Sequence, residues 1–138
     1  MTTESCIFCK IVAGDVPSFK LADDARSFAM LDINPVNPGH TLVLSKHHAP
    51  TLAASRDEDL AAVMATARRR AAAIERALAP DGINLVQANG PGAAQSVPHF
   101  HMHIVPRRLG DDLKMNWALR PGDRAALAAM AERVRAAL

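Results

Sequence analysis

Only two cysteines stand among 138 residues, too few for the disulfide framework that holds small secreted domains together. Charge of one sign is scarce too. Sixteen Lys and Arg against fourteen Asp and Glu leave a net +2, well mixed along the chain, which argues against a polyanion-binding surface. No apolar run approaches the roughly 20 residues that span a bilayer, and the first residues lack a basic-then-apolar signal pattern. The expectation is a cytoplasmic protein that engages neither membrane nor nucleic acid. Internal repeats, low-complexity segments and the two common Gly-rich phosphate loops are missing. There is also no carboxylate-rich cage for a two-metal mechanism. With 49% hydrophobic residues, the chain reads as one globular domain over 1–138.

What is present falls into short periodic segments. Ile7, Phe8, Ile11 and Val12 recur at helical spacings, so 5–13 reads as a short helix ended by Gly14 and Pro17. A brief strand is expected at 19–21 and another at 26–31, followed by a shaped loop at 32–39 with two prolines and a glycine. His40 to Leu44 is a β-type segment, and 51–55 a helical turn. Leu60, Val63, Met64, Ala67, Ala71, Ile74 and Leu78 repeat at three and four, which predicts a long helix over 57–78 with those residues buried. Arg68, Arg69 and Arg70 point in three directions around it and read as a solvated face. Pro80-Asp81-Gly82 stops the helix, and 83–86 is a strand. The segment 109–120, with the single Trp117, has no clear period. A last helix over 122–138 would bury Leu127, Met130, Ala131 and Val134. The element order gives an α+β domain with helices on a mostly antiparallel sheet. The βαβ spacing across 40–86 leaves a doubly wound sheet as the alternative.

The chain is organised around Gln95 to Arg107, Q-S-V-P-H-F-H-M-H-I-V-P-R. Histidines at 99, 101 and 103 alternate with Phe100, Met102 and Ile104, and a period of two places the three imidazoles on one face of a strand. Neutral imidazole is a nucleophile, and its titration lies near neutral pH. Phosphorus is a plausible target, since charge on its equatorial oxygens can be stabilised by imidazole or backbone N–H donors. The C-x-x-C at Cys6 and Cys9 admits three readings: a disulfide, a redox dithiol, or two thiolates of a metal site completed by histidines elsewhere.

H-F-H-M-H-I-V resembles the histidine-triad (HIT) motif. The resemblance extends through C-I-F-C-K-I at 6–11, D-I-N-P at 32–35 and G-H-T-L-V-L-S-K-H-H at 39–48. It implies a five-stranded antiparallel sheet with one long central helix and a C-terminal helix, paired into a homodimer. It also implies hydrolysis at the α-phosphate of purine nucleoside 5′-phosphate derivatives, such as phosphoramidates or dinucleoside polyphosphates. A nucleotide-binding interaction module is the alternative, and a nucleotidyl transferase a weaker one.

By the same resemblance His101 is the nucleophile, and His103 stabilises the phosphate charge. Ser96 lies near the bridging atom of the scissile bond, and His40 orients the nucleophile. Asp32 accepts from the ribose hydroxyls, with Ile33 beside the sugar or base. Asn89 and Gln95 contact the phosphate and leaving group. Bacterial members with the N-terminal C-x-x-C imply a structural zinc on Cys6, Cys9, His48 and His99, with His47 facing solvent. Ala94 replaces the usual glycine before Q-S-V. Read without the resemblance, Asp32 also fits a turn cap, His40 a buried structural imidazole, Ser96 a loop hydroxyl and Asn89 a left-handed turn residue.

Overall fold

The computed structural model describes residues 3–115 and 117–138. A 3-10 turn, Thr3–Ser5, leads into α1 (Ile7–Ala13), which ends on Gly14 at φ 88°, a left-handed cap that glycine adopts without a Cβ clash. The strands are β1 (Lys20–Asp23), β2 (Ser27–Leu31), β3 (Thr41–Ser45), β4 (Gly82–Val86) and β5 (His101–Arg107). They form one antiparallel sheet in the order β1-β2-β3-β5-β4, which excludes the doubly wound alternative. Between β3 and β4 runs α2 (Asp57–Leu78), and α3 (Arg124–Arg135) follows β5. Residues 51–55 form turns rather than a helix, and 32–40 is a loop. No helix among the described residues is long and apolar enough to cross a membrane.

The alternation within the central strands decides the two layers. Ala29, Val43 and Ile104 face α2, where they pack with Phe100 against Val63, Ala67 and Ile74. Phe28, Met30, Leu42 and Leu44 face the other way and pack with Cys6 and Phe8 of the N-terminal segment. Full burial of each Val, Leu, Ile, Met or Phe among them contributes about 1.5–3 kcal/mol. His101 pairs with Leu44 and His103 with Leu42. Both histidines therefore point to the α1 side, and α2 backs the sheet from behind.

Several expectations need correction. Met64 and Leu78 are 49% and 39% exposed, so the buried stripe of α2 is narrower than the periodicity implied. Asp59 in the first turn of α2, for which the sequence singles out no role, is buried and held by Arg26 and Arg56 at 3.1 and 2.7 Å. Arg69 and Arg70 are not simply solvated: Arg69 pairs with Asp24, and Arg70 donates to the Leu21 carbonyl. The largest departure is α3. Leu127, Met130 and Val134 are exposed and Ala131 is half-buried, because α2 occupies one sheet face while α1 and a cavity occupy the other. His99 also precedes β5 rather than opening it.

Candidate active site and metal centre

The α1 side of the sheet holds a cavity of about 510 Å³, within the size range of small-molecule sites. Its floor is His101 and His103 with Met30 and Leu42, one wall is Ile7, Phe8 and Ile11 of α1, and Asp32, Ile33 and Ser96 stand at its rim. The apolar wall was invisible as a site in the sequence, where the same residues read only as the buried face of a short helix.

Hydrogen bonds fix the protonation of each imidazole. Nδ1 of His101 lies 2.6 Å from the His99 carbonyl, an acceptor, so the proton sits on Nδ1 and Nε2 keeps its lone pair. His40 is set from the opposite side. Its Nδ1 accepts the Val36 N–H at 3.3 Å, so its proton is on Nε2 and is donated to Nδ1 of His103 at 2.9 Å. His103 is thereby left with an Nε2–H to offer the cavity. His40 thus reaches His103 directly, and the rings of His101 and His103 stand 4.9 Å apart between centroids. Burial lowers the pKa of all three histidines, that of His103 to about 4 with the neighbouring His101 and His40 adding to the effect. At neutral pH they are neutral: one bare nitrogen beside one N–H donor.

Asp32 does two things at once. Its Oδ1 accepts the Asn34 N–H at 2.8 Å and closes the turn, while Oδ2 lies 3.6 Å from His40 Nε2 on the cavity side. Asp32, His40 and His103 are close enough to share an ion. The Nδ1 lone pairs of His40 and His103 are already committed to the relay from Val36 through His40, which favours proton positioning over metal binding.

Asn89 and Gln95 do not line the cavity among the described residues. Asn89 Oδ1 accepts the Leu52 N–H at 2.7 Å, and Gln95 bridges Gly90 N with the Pro50 and Val97 carbonyls. They brace the loop that presents Ser96. Ala94 in that loop is left-handed at φ 57°, a conformation that strains a residue with a Cβ.

Ninety-three positions apart in the chain, Cys6 and His99 meet at the second site. Cys6 Sγ and Cys9 Sγ lie 3.4 and 3.5 Å from His99 Nδ1, Cys9 Sγ lies 3.4 Å from His48 Nδ1, and the two Nδ1 atoms are 3.3 Å apart. A tetrahedral zinc with sulfur at about 2.3 Å and nitrogen at about 2.05 Å requires S–N edges near 3.5 Å and an N–N edge near 3.3 Å. The donor set fits. His99 Nε2 donates to the Ser45 carbonyl at 2.7 Å, which turns a bare Nδ1 toward the cysteines, the outer hydrogen bond expected behind a ligating histidine. Burial and the neighbouring Cys6 raise the Cys9 thiol to about 11, so a cation is needed to hold thiolates here. His47 lies outside this group.

The HIT domain family model matches residues 13–110. An adenosine 5′-monophosphoramidase of Schizosaccharomyces pombe is 44% identical over 103 residues, covering 75% of this chain and 74% of that protein. A crystal structure of a HIT family member from Bacillus subtilis has a TM-score of 0.90 at 37% identity, covering 97% of both chains. A zinc-bound histidine triad family protein from Mycobacterium smegmatis has a TM-score of 0.77 at 38% identity, covering 96% of this chain and 99% of that one.

Proposed function

The chain belongs to the HIT domain family, and on that premise we propose that it is a hydrolase of purine nucleoside 5′-phosphate derivatives, with phosphoramidates as the first substrates to try. The observation that carries this reading is the His101 Nδ1–H bond to the His99 carbonyl, which presents a bare Nε2 in the cavity. The phosphoramidase name of the fission-yeast relative supports the same choice.

In this reading the base lies along Ile7, Phe8, Ile11 and Ile33, and Asp32 Oδ2 accepts from the ribose hydroxyls. His101 Nε2 attacks the α-phosphorus; the Nε2–P bond forms as the bond from phosphorus to the leaving nitrogen or oxygen breaks. The imidazole becomes cationic, and the His99 carbonyl on Nδ1–H favours that charge. The His103 Nε2–H donates to a phosphoryl oxygen, stabilising the charge that builds there. The leaving atom departs on the Ser96 side, where the amides of Asn89 and Gln95 flank the loop, and takes up the Ser96 hydroxyl proton. Water then attacks phosphorus as the Nε2–P bond breaks; its oxygen stays on the nucleotide, one of its protons restores the Ser96 hydroxyl, the other leaves to solvent, and His101 returns to neutrality. His40 orients the pair through His103.

Cys6, Cys9, His48 and His99 would hold a structural zinc, which supplies a cross-link between the N-terminus and the segment entering β5. The exposed apolar face of α3, together with β4 as a sheet edge, supports a homodimer, which sedimentation at micromolar concentration tests. The hydrolase reading is tested by rapid mixing with adenosine 5′-phosphoramidate followed by intact mass. A nucleotidyl adduct on His101 is expected. Tight nucleotide binding with no turnover of any derivative would make the protein a binding module instead.

A further inference from the structure

The loop between Asp32 and His40 supplies the N–H that sets the His40 tautomer, yet a loop has no sheet ladder to hold it. Its backbone is tied at both ends, Asp32 N to the His40 carbonyl at 2.9 Å and His40 N to the Asn37 carbonyl at 3.1 Å. The tie that reaches across to β5 is a side chain. Asn37 Nδ2 donates to the Pro106 carbonyl at 2.8 Å and to Asp111 Oδ2 at 2.9 Å. Pro106 lies two residues beyond Thr41–Ile104, the last β3–β5 pair, so Asn37 takes up β5 where β3 no longer reaches it.

Asp111 is itself immobilised. Arg107 grips it in a fork, Nε to Oδ2 at 2.8 Å and Nη2 to Oδ1 at 2.7 Å, and the same guanidinium reaches Asn84 Oδ1 at 2.8 Å on β4. The backbone N–H groups of Arg108 and Leu113 complete the carboxylate at 3.1 and 3.2 Å. Bidentate, charge-assisted pairing of this kind fixes geometry as well as charge. Behind the loop there is little slack: a Cβ at Gly39 would stand 2.5 Å from Leu78 Cδ1 and 3.3 Å from Pro106 Cγ.

We propose that Asn37 is a positioning residue for the hydrolytic centre: it staples the 32–40 loop to the end of the triad strand, so that the Val36 N–H stays on His40 Nδ1 and the His40–His103 pair keeps the tautomer that turns the His103 Nε2–H toward the cavity. The inference rests on the hydrolase reading for its effect on rate, but its geometry does not. Asn37 does not line the cavity. Its effect passes from Asn37 to the Val36–Asn37 backbone, then to His40, then to His103.

Long-range ¹H–¹⁵N NMR at neutral pH reads imidazole tautomers directly. In the wild-type protein His40 and His103 are expected as Nε2–H tautomers; an Nδ1–H tautomer at His40 overturns the proposal without any variant. Asn37→Ala should leave His40 with mixed tautomers and lower kcat for adenosine 5′-phosphoramidate by about tenfold or more, the scale on which misplaced catalytic groups act. KM should change less than about twofold, since ground-state contacts remain. Asn37→Ser, which keeps one short donor, should recover part of kcat and also serves if the alanine variant does not fold. A lowered melting temperature with wild-type tautomers and wild-type kcat would show a merely structural side chain and overturn the proposal. If wild type hydrolyses no phosphoramidate, the hydrolase reading fails, while the tautomers still decide the role of Asn37.

Discussion

The ring of Phe8 stands edge-on to His101, with centroids 5.0 Å apart and planes at 78°. Phe8 lies between Cys6 and Cys9, and it also meets the His99 ring at 5.8 Å. The candidate metal centre and the candidate nucleophile therefore share one packed side chain and one backbone carbonyl. Disturbing the first should be felt at the second.

Metal removal is the direct check of that coupling. About one zinc per chain should survive dialysis, and Cys6→Ala should lose it. The variant should also melt at lower temperature, because the binding free energy of such a site is in part folding free energy. Metal analysis that finds no zinc in protein prepared without chelator would return Cys6 and Cys9 to the status of buried thiols.

His101→Ala should abolish the covalent step and spare the base and ribose contacts. The rate should fall by several orders of magnitude while nucleotide affinity changes little, the pattern left by losing an interaction made at the transition state. His101→Gly should regain some rate with added imidazole. Retention of more than about a tenth of wild-type rate in the alanine variant would remove His101 from the nucleophile's role.

Acid should destabilise the fold through the same histidines. Burial keeps His103 neutral down to about pH 4, against 6.5 for an exposed imidazole, and shifts His40 and His101 in the same direction. Between those limits the unfolded chain binds protons that the folded chain refuses. Stability therefore falls as pH drops from 6.5 toward 4 and is level above 6.5 from this source. Urea midpoints at about pH 5 and pH 7.5 measure it; an equal or higher midpoint at the acid value would contradict the burial of these rings.

Ala94→Gly should stabilise the protein. Ala94 holds φ 57° and ψ 35°, where a Cβ costs about 1–2 kcal/mol and glycine has none. The gain should be about 1 kcal/mol after the extra freedom of glycine in the unfolded chain is subtracted. Thermal melts decide it, and a lower midpoint for the glycine variant would mean that the loop depends on the alanine methyl.

Much of the fold was legible because it is written in local periods. The alternation in H-F-H-M-H-I-V gave β5, the three-and-four spacing gave α2, and Pro80 to Gly82 marked its end. Those elements left a doubly wound sheet open beside the antiparallel one; the five-stranded antiparallel arrangement was implied by the family resemblance, and the strand order bears it out. Periodicity reports amphipathic character, however, and not what covers the apolar face. That is why the stripe of α3 read as buried while Leu127, Met130 and Val134 stand exposed on this chain.

By itself, then, the sequence determined which residue types were available and near which elements they lie: a triad where a strand begins, a cysteine pair where a short helix begins, an acid in a proline-rich loop. Tertiary structure decided their division of labour. The three triad histidines look alike in sequence, yet His99 turns to Cys6 across 93 positions, His101 keeps a bare nitrogen because the His99 carbonyl holds its proton, and His103 takes its tautomer from His40. Imidazole tautomers are set by whichever donors and acceptors lie within about 3 Å. Here those partners include a loop N–H and a backbone carbonyl, groups that every residue carries and no side-chain pattern can single out.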